Sequence, residues 1–170
     1  MGGPNSGVLN NCAVVDTSLR VAGNERLESI ALAMSFLFNG IGVGATLDGA
    51  GSVPVWVPKG KPITFVVDDT RESWVDSVQM LLDSYTHRFS RPVEFNYSYI
   101  RPEGSPIVRF GGIAAGSEPL RELHMAMSEV LTRRACDEHD IALGTEDLAA
   151  LINLIGVCVV SGGVRRSAEL

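Results

Sequence analysis

Short apolar runs in this chain predict β-strands separated by longer segments of different periodicity. VLNNCAVVD (8–16) has apolar residues at consecutive positions near its end, which predicts a strand buried on both faces. VPVWV (53–57) and ITFVV (63–67) flank the turn-like sequence PKGKP, so a hairpin is expected there. EFNYSYI (94–100) predicts a further strand, and VCVVS (157–161) predicts the last one.

Four other segments repeat apolar residues every three or four positions, which is the spacing of one helix face. Their predicted starts are Asn24, the capping-box-like Asp69-Thr70-Arg71-Glu72, Ser117 with Pro119 in the first turn, and Thr145. The four apolar faces are Leu27, Ile30, Met34 and Leu37; Trp74, Val78, Leu81, Leu82 and Tyr85; Leu120, Leu123, Met127 and Leu131; and Leu148, Leu151, Ile152 and Ile155. Because strands and helices alternate, the predicted fold class is α/β.

Composition narrows the class of protein further. At 170 residues, with 45% hydrophobic and 20% charged residues, the chain resembles one ordinary globular domain. Its net charge of −6 argues against nucleic-acid or membrane-surface partners. Cys12, Cys136 and Cys158 have no metal-ligand spacing, and their odd number fits poorly with a disulfide scaffold, so we expect no metal site and a cytoplasmic location.

Three features could carry chemistry, and each has an ordinary alternative. GIGVG (40–44) could bring backbone N–H groups close to an anionic ligand, or could simply end a helix. Cys12 could be redox-active, or could be a small buried apolar residue. Asp68 and Asp69 could cap the following helix, or one of them could accept a hydrogen bond from a ligand hydroxyl. The three histidines are scattered and form no recognisable triad, so the residues alone identify no catalytic group.

Five stretches in order change this interpretation. They are NNCAVVD (10–16), SFLFNGIGVGATLDGAG (35–51), VDDTRESWVDSVQMLLDSY (67–85), IRPEGSPIVRFGGIAAGSEPL (100–120) and IGVCVVSGGVRRSAEL (155–170). Together they closely resemble the large catalytic subunit of ribonucleotide reductases, in particular the class II, adenosylcobalamin-dependent, monomeric ribonucleoside-triphosphate reductases. One departure is the slightly variant segment AGSEP (115–119).

The resemblance implies the N-terminal part of a ten-stranded α/β barrel with an inserted effector-binding element. Residues 1–52 would form the first barrel strand, a helix and a substrate-side glycine loop. Residues 53–93 would form the inserted helical and hairpin element. Residues 94–170 would contain the specificity loop and the next barrel elements, which leaves one incomplete domain.

The resemblance also implies roles for individual residues. Cys12 would be the redox-active cysteine that forms a disulfide with a partner later in the barrel. Residues near the substrate nucleotide would be Asn11, Gly40 and Gly42. Asp68 or Asp69 would meet the sugar of a deoxynucleoside triphosphate effector. The flexible loop between effector and substrate would contribute Arg101, Glu103, Gly104 and Ser105.

The implied activity is radical reduction of ribonucleoside triphosphates to deoxyribonucleotides. It would use adenosylcobalamin, a deoxynucleoside triphosphate effector and a thioredoxin-type reductant. The family's thiyl-radical cysteine, cobalamin contacts and C-terminal cysteine pair are expected beyond Leu170, so this chain would need a missing C-terminal portion and would be inactive alone. The alternative is a non-catalytic deoxynucleotide-binding module or a subunit of a split enzyme.

Overall fold

Strands and helices alternate in the first two thirds of the chain, and two helices follow. The structure, a computed structural model, describes residues 12–18, 27–87, 90–107, 113–135 and 142–161. The elements in that part of the chain are β1 (Cys12–Asp16), α1 (Glu28–Phe38), β2 (Gly42–Thr46), β3 (Ile63–Val66), α2 (Arg71–Thr86), β4 (Val93–Asn96), α3 (Glu118–Arg134) and α4 (Thr145–Val160).

The described strands form two parallel pairs. β1 pairs with β2 from Cys12 opposite Gly42 to Asp16 opposite Thr46. β3 pairs with β4 from Ile63 opposite Val93 to Val66 opposite Asn96. Parallel neighbours need a crossover connection, and α1 and α2 lie in the two crossovers. The prediction of an α/β fold is therefore confirmed, as two β-α-β units followed by α3 and α4.

The predicted helix faces form the hydrophobic core. Its members come from all four helices, and α4 packs against both α3 and α1. The fully or nearly fully buried residues on these faces are Ile30, Met34, Leu37, Val78, Leu81, Leu82, Leu120, Leu123, Met127, Leu131, Leu148, Leu151, Ile152 and Ile155. Trp74 and Tyr85 are partly buried against this core. None of the helices in the described ranges is long and apolar enough to span a membrane.

The predicted hairpin is wrong. β3 pairs in parallel with β4, whereas residues 53–57 belong to no named strand and make a single bridge, between Pro54 and Ala142. Pro54 within this segment and Pro58 directly after it have no N–H to donate, so the segment is a poor member of a strand ladder. It is held from elsewhere, because the Trp56 N–H donates to the Tyr85 carbonyl at 2.8 Å.

The predicted C-terminal strand is also wrong. VCVVS continues α4, which runs as one helix to Val160. Ile155, Cys158 and Val159 are buried while Val157 is 66% exposed, so burial follows helical spacing. The helix penalty of a β-branched residue is below about 1 kcal/mol, and burial of this face outweighs it. The strand predicted over 94–100 is shorter than expected, because β4 ends at Asn96 and a turn follows.

The first strand is less enclosed than predicted. Val15 is buried, but Cys12 is exposed and Val14 is 72% exposed. Cys12 and Val14 share one face of the strand, so that face is the less covered one, and within the described residues β1 pairs with β2 alone. The N-cap position of α1 is Leu27, in a left-handed conformation with φ 79°. The predicted cap Asn24 and the first part of the predicted strand lie outside the described residues.

A buried carboxylate joins the end of α3 to the start of α4. Asp147 Oδ2 accepts from the Gly144 N–H at 2.9 Å and lies 2.6 Å from Arg134 Nε. The Asp147 side chain is 2% exposed, whereas that of Arg134 is 41% exposed. Gly144, and not the predicted Thr145, is therefore the N-cap residue, and the carboxylate of Asp147 satisfies its backbone donor.

We expect Asp147→Ala to lower the free energy of unfolding by about 2 kcal/mol, because a buried hydrogen bond and an ion pair to a partly hydrated arginine are both lost. Urea denaturation followed by far-UV circular dichroism measures this change. Glu146→Ala, at the exposed neighbouring position, is the control and should stay within about 0.5 kcal/mol of the unmodified chain. Equal losses in the two variants would contradict a stabilising role for the Asp147 carboxylate.

Candidate functional site

The predicted effector residues come together where β3 and β4 both end. This end of the strand pair is called its C-terminal edge. β3 and β4 end at opposing residues, Val66 and Asn96, and the Val67 N–H adds a bond to the Asn96 carbonyl at 2.8 Å. Asp68-Asp69 leaves one strand at this edge, and the segment 97–101 leaves the other. Ligands of parallel α/β sheets usually bind at this edge, because loops and helix N-termini meet there.

Asp69 is free of the capping role predicted for it. Thr70 is the N-cap of α2, and its Oγ1 accepts from the Ser73 N–H at 3.2 Å. The Ser73 hydroxyl in turn accepts from the Asp68 N–H at 2.9 Å. These two bonds fix the backbone of 68–70 and leave both aspartate carboxylates out of the cap. The prediction of a capping box starting at Asp69 is therefore wrong by one residue.

The Asp69 carboxylate meets Arg101 across this edge. Arg101 Nε donates to Asp69 Oδ2 at 2.5 Å. The two side chains are 38% and 32% exposed, for arginine and aspartate respectively. An ion pair this accessible contributes only about 0–1 kcal/mol to folding. Its importance is geometric, because it places a cation and a hydrogen-bond acceptor side by side on an accessible surface at the start of a helix.

The segment after Arg101 forms a turn tied to residues 113–116. The Gly104 N–H donates to the Ala114 carbonyl at 3.0 Å, and the Ala114 N–H donates back to the Ser105 carbonyl at 2.8 Å. Gly104 has φ 85°, a conformation that favours glycine. A Cβ at Gly116 would come within 3.0 Å of the Glu103 nitrogen, so this side of the turn is closely packed. Three of the predicted loop residues, Glu103, Gly104 and Ser105, therefore lie in one turn, and the fourth, Arg101, precedes it and contacts Asp69.

The predicted substrate residues form a second group. Cys12 is exposed at the first position of β1, directly opposite Gly42 at the first position of β2. Gly40, with φ 76°, ends α1 and donates its N–H to the Leu37 carbonyl at 2.9 Å. Gly40 is a turn residue and Gly42 begins β2, so GIGVG ends α1 and leads into a strand; its place on the substrate side stays a prediction. Asn11 lies outside the described residues.

One hydrogen bond connects the two groups. Arg71, the first residue of α2, donates from Nη1 to Asn39 Oδ1 at 3.3 Å. Asn39 directly precedes Gly40, and its Nδ2 donates to the Ser35 carbonyl at 2.8 Å. A shallow groove of about 200 Å³ separates the end of α1 from the start of α2 along this contact; it is lined by Ser35, Phe38, Asn39, Arg71, Glu72, Val75 and Asp76.

A buried chain of hydrogen bonds, which the sequence did not predict, links α3 to α2 and to the segment after β4. His124 of α3 is 4% exposed, with Nε2 3.0 Å from Ser77 Oγ and Nδ1 2.8 Å from the Tyr97 hydroxyl. Ser77 Oγ donates its single proton to the Trp74 carbonyl at 2.7 Å, so it must accept from His124. The imidazole therefore carries its proton on Nε2, and its Nδ1 accepts from Tyr97.

Burial determines the protonation states of His124 and Tyr97 in this chain of hydrogen bonds. Burial lowers the pKa of His124 from 6.5 to about 3, so the ring is neutral near pH 7. Burial also raises the pKa of Tyr97 to about 12, which keeps its hydroxyl a donor; the Arg121 guanidinium, 4.2 Å from the ring centroid, opposes that rise. The position of His124 between Leu120 and Met127 on an apolar face was the one signal in the sequence, because a histidine there must find internal partners.

Comparisons with known proteins agree on one family. A family model described as "B12-dependent ribonucleotide reductase, insertion domain" matches residues 40–131. A probable adenosylcobalamin-dependent ribonucleoside-triphosphate reductase of Dictyostelium discoideum is 40% identical over 95% of this chain and 23% of its own length. The adenosylcobalamin-dependent ribonucleoside-triphosphate reductase of Euglena gracilis is 37% identical over 95% of this chain and 22% of its own.

The fold agrees as well. A crystal structure of a B12-dependent, class II ribonucleotide reductase superposes with a TM-score of 0.73 at 23% identity, over 94% of this chain and 28% of that one. The chain belongs to the B12-dependent, class II ribonucleotide reductase family, as the resemblance predicted. It spans about a quarter of the length of the curated relatives it matches.

The neutral state of His124 makes stability depend on pH. In the unfolded chain His124 binds a proton below its ordinary pKa of 6.5, whereas in the folded chain it does so only near 3. The unfolded state therefore binds more protons within this window, and stability falls as the pH is lowered through it. We expect the unmodified chain to lose about 1.4 kcal/mol per pH unit more than His124→Phe between pH 6 and 4. Urea denaturation at several pH values measures the two slopes, and equal slopes would contradict a neutral buried His124.

A second test concerns the backbone conformation of Gly104 and the hydrogen bonds between its turn and Ala114. Gly104→Ala places a Cβ in open space at φ 85°, so its cost is backbone strain of about 1 kcal/mol. Gly60, with φ 96° and equally open space on the side where a Cβ would project, is the matched control. We expect similar losses of stability in the two alanine variants, with amide-exchange protection at Ala114 lowered only in Gly104→Ala. Reduced protection at Ala114 in both would show that the effect is not local.

Proposed function

We propose that this chain is the region of an adenosylcobalamin-dependent ribonucleoside-triphosphate reductase that binds the deoxynucleoside triphosphate effector and carries one redox-active cysteine. The full-length protein would convert ribonucleoside triphosphates to deoxyribonucleotides by radical chemistry. The family membership supports this reaction class. The observation that carries the local role is the accessible pair of Asp69 and Arg101 where β3 and β4 end and α2 begins.

The groups at this edge match the chemistry of a deoxynucleotide. Arg101 supplies a cation for phosphate oxygens, and the N-terminus of α2 favours negative charge. Asp69, or the exposed Asp68 beside it, accepts a hydrogen bond from the 3′-hydroxyl of the sugar. Binding exchanges the Asp69–Arg101 contact for contacts with the ligand, at a small cost because the pair is partly hydrated.

The turn that contains Glu103, Gly104 and Ser105 reports which effector is bound. It begins at Pro102, whose carbonyl accepts from the Ser105 N–H at 3.3 Å, so a change in the position of Arg101 would reach the turn through the next residue. The turn would contact the base of effector or substrate and shift substrate preference accordingly. Substrate must then alter effector affinity by the same factor, because coupling between binding sites is reciprocal.

Cys12 would carry the thiol chemistry. It is exposed at the start of β1, whereas Cys158 is buried, with its pKa raised to about 12 by burial. Reduction of the ribose 2′-position consumes two electrons. Cys12 and a partner cysteine outside this chain would supply them by losing two protons and forming a disulfide, and a thioredoxin-type reductant would restore both thiols. Asn11, Gly40 and Gly42 would contact the substrate nucleotide beside Cys12.

The larger architecture would follow that of the family. The β1–β2 pair would be the first strands of the ten-stranded barrel, with residues 1–52 on the substrate side, 53–93 as the inserted effector element, and 94–170 as the specificity loop and following barrel elements. Adenosylcobalamin would supply the radical in the full-length protein. Among the described residues no three His, Cys, Asp or Glu side chains lie close enough to hold a metal ion. By resemblance to the family, the residues that bind the cofactor would belong to a C-terminal portion.

A non-catalytic module is the second candidate. It is favoured by one observation: Asp69 and Arg101 are in contact among the described residues, where Cys12 is the one exposed free thiol. Such a module would sense deoxynucleotides or join a separate subunit that carries the radical chemistry.

The exposed thiol of Cys12 and the free thiol of Cys158 favour a reducing compartment, in agreement with a cytoplasmic location.

Effector binding is tested by calorimetric titration of the chain with dATP, dGTP, dCTP and dTTP. We expect at least one to bind, and Arg101→Ala to weaken it by about 10- to 100-fold, as expected for loss of a charge-assisted hydrogen bond. The free energy of unfolding should change by less than about 1 kcal/mol, because the ion pair is partly hydrated.

Arg91→Ala removes an exposed arginine outside the site and is the matched control, with affinity expected to be unchanged. Asp69→Asn tests the acceptor, with Asp48→Asn as its exposed control. Binding that is equal in Arg101→Ala and Arg91→Ala would exclude Arg101 from the site. Complementation with a downstream reductase segment, adenosylcobalamin and a dithiol then separates the two candidates, since turnover that is lost in Cys12→Ser supports the enzyme.

A further inference from the structure

The buried chain Tyr97–His124–Ser77 belongs to neither candidate site, yet its ends attach to the two segments that hold Asp69 and Arg101. It runs from the Tyr97 hydroxyl to His124 Nδ1, and from His124 Nε2 to Ser77 and the Trp74 carbonyl. Each member is either buried or partly buried. Each donor has a definite acceptor, so the chain has one direction and one arrangement of protons.

One end fixes the start of α2. Trp74 lies in the first turn, and its N–H donates to the carbonyl of the N-cap residue Thr70 at 3.2 Å. Asp69 directly precedes Thr70. Ser77 is thus linked through Trp74 and Thr70 to Asp69. A displacement of Ser77 away from α3 would therefore move the Asp69 carboxylate as well.

The other end fixes the turn that leads to Arg101. Tyr97 directly follows β4, and its carbonyl accepts from the Ile100 N–H at 3.0 Å, which closes the turn one residue before Arg101. The Arg121 guanidinium lies over the Tyr97 ring on the face towards α3. The ring of His124 is itself oriented by Phe95 of β4, which stacks on it. The two ring centroids are 3.9 Å apart and the interplanar angle is 22°.

We propose that His124 is a positioning residue of the effector site: it holds the start of α2 and the 97–101 turn at the separation at which Asp69 and Arg101 bind one deoxynucleoside triphosphate together. This role rests on the proposed function. Histidine suits it because its two ring nitrogens act oppositely, one as acceptor from Tyr97 and one as donor to Ser77. Phenylalanine keeps the stack on Phe95 but has neither group, whereas glutamine has one acceptor and one donor.

Two tyrosine variants separate positioning from general loosening. Tyr97→Phe removes the hydroxyl that donates to His124. Tyr85→Phe removes another hydroxyl between α2 and α3, which lies 2.8 Å from Thr132 Oγ1 and far along α2 from its N-terminus. We expect Tyr97→Phe to weaken binding of the tightest deoxynucleoside triphosphate by about three- to tenfold, the value of one hydrogen bond, and Tyr85→Phe by less than about twofold.

A double-mutant cycle tests whether the effect passes through Arg101. Once Arg101 is alanine, its separation from Asp69 no longer matters, so adding Tyr97→Phe should cost no further affinity. His124→Phe should reproduce the loss seen in Tyr97→Phe, and His124→Gln should recover part of it. Should His124→Phe fail to fold, the tyrosine cycle stands by itself.

The outcomes are distinct. Absence of binding by the unmodified chain overturns the effector site itself, and with it this role of His124. Binding that is unchanged in Tyr97→Phe, or weakened equally in Tyr85→Phe, leaves the effector site standing and overturns the positioning role. Independent, additive losses from Tyr97→Phe and Arg101→Ala overturn it too, because they would show that the tyrosine does not act through the arginine.

Discussion

The candidate effector site depends on one constraint, the crossover that two parallel neighbouring strands require. Because β3 and β4 run in the same direction, the chain between them must return to the starting edge, and α2 makes that return. Both strands then end at one edge, where Asp69 and Arg101 meet across 32 residues of sequence. A hairpin would have placed these residues at opposite ends of the strands. The parallel pairing is therefore what makes a joint site possible.

Two buried polar residues fix the helices around this edge. Asp147 joins α4 to the end of α3, and His124 joins α3 to α2 and to the turn after β4. Burial of either residue is costly unless each polar atom has a partner, so each is satisfied only when the neighbouring elements hold one arrangement. The apolar helix faces alone would allow sliding, since hydrophobic burial is not directional. The polar contacts therefore select one of the helix arrangements that the apolar core would allow.

The sequence predicted what is locally encoded. Periodicity located α2 and α3, and proline in the first turn marked the start of α3. Pairing of β3 could not be predicted in this way, because partners in a sheet are chosen by tertiary contacts and the run at 53–57 was an equally plausible neighbour. Valine-rich 157–161 was misassigned because strand preference is weak beside burial on the face of α4. The partners of His124 were invisible for a related reason, since Ser77 lies 47 positions away in the sequence.

The candidate substrate and effector groups lie on different strand pairs, and the contact between Asn39 and Arg71 connects them by a short path. Arg71 is two residues beyond Asp69, and Asn39 is adjacent to Gly40. A change at the start of α2 thus reaches the end of α1 through one hydrogen bond. Such a path carries coupling only if its two ends have more than one arrangement that a ligand can select. In the proposed effector site, the partly hydrated Asp69–Arg101 pair would meet this condition, because a phosphate would compete for Arg101. The buried His124 chain, in contrast, has a single satisfied arrangement and would serve as the fixed frame against which that change is transmitted.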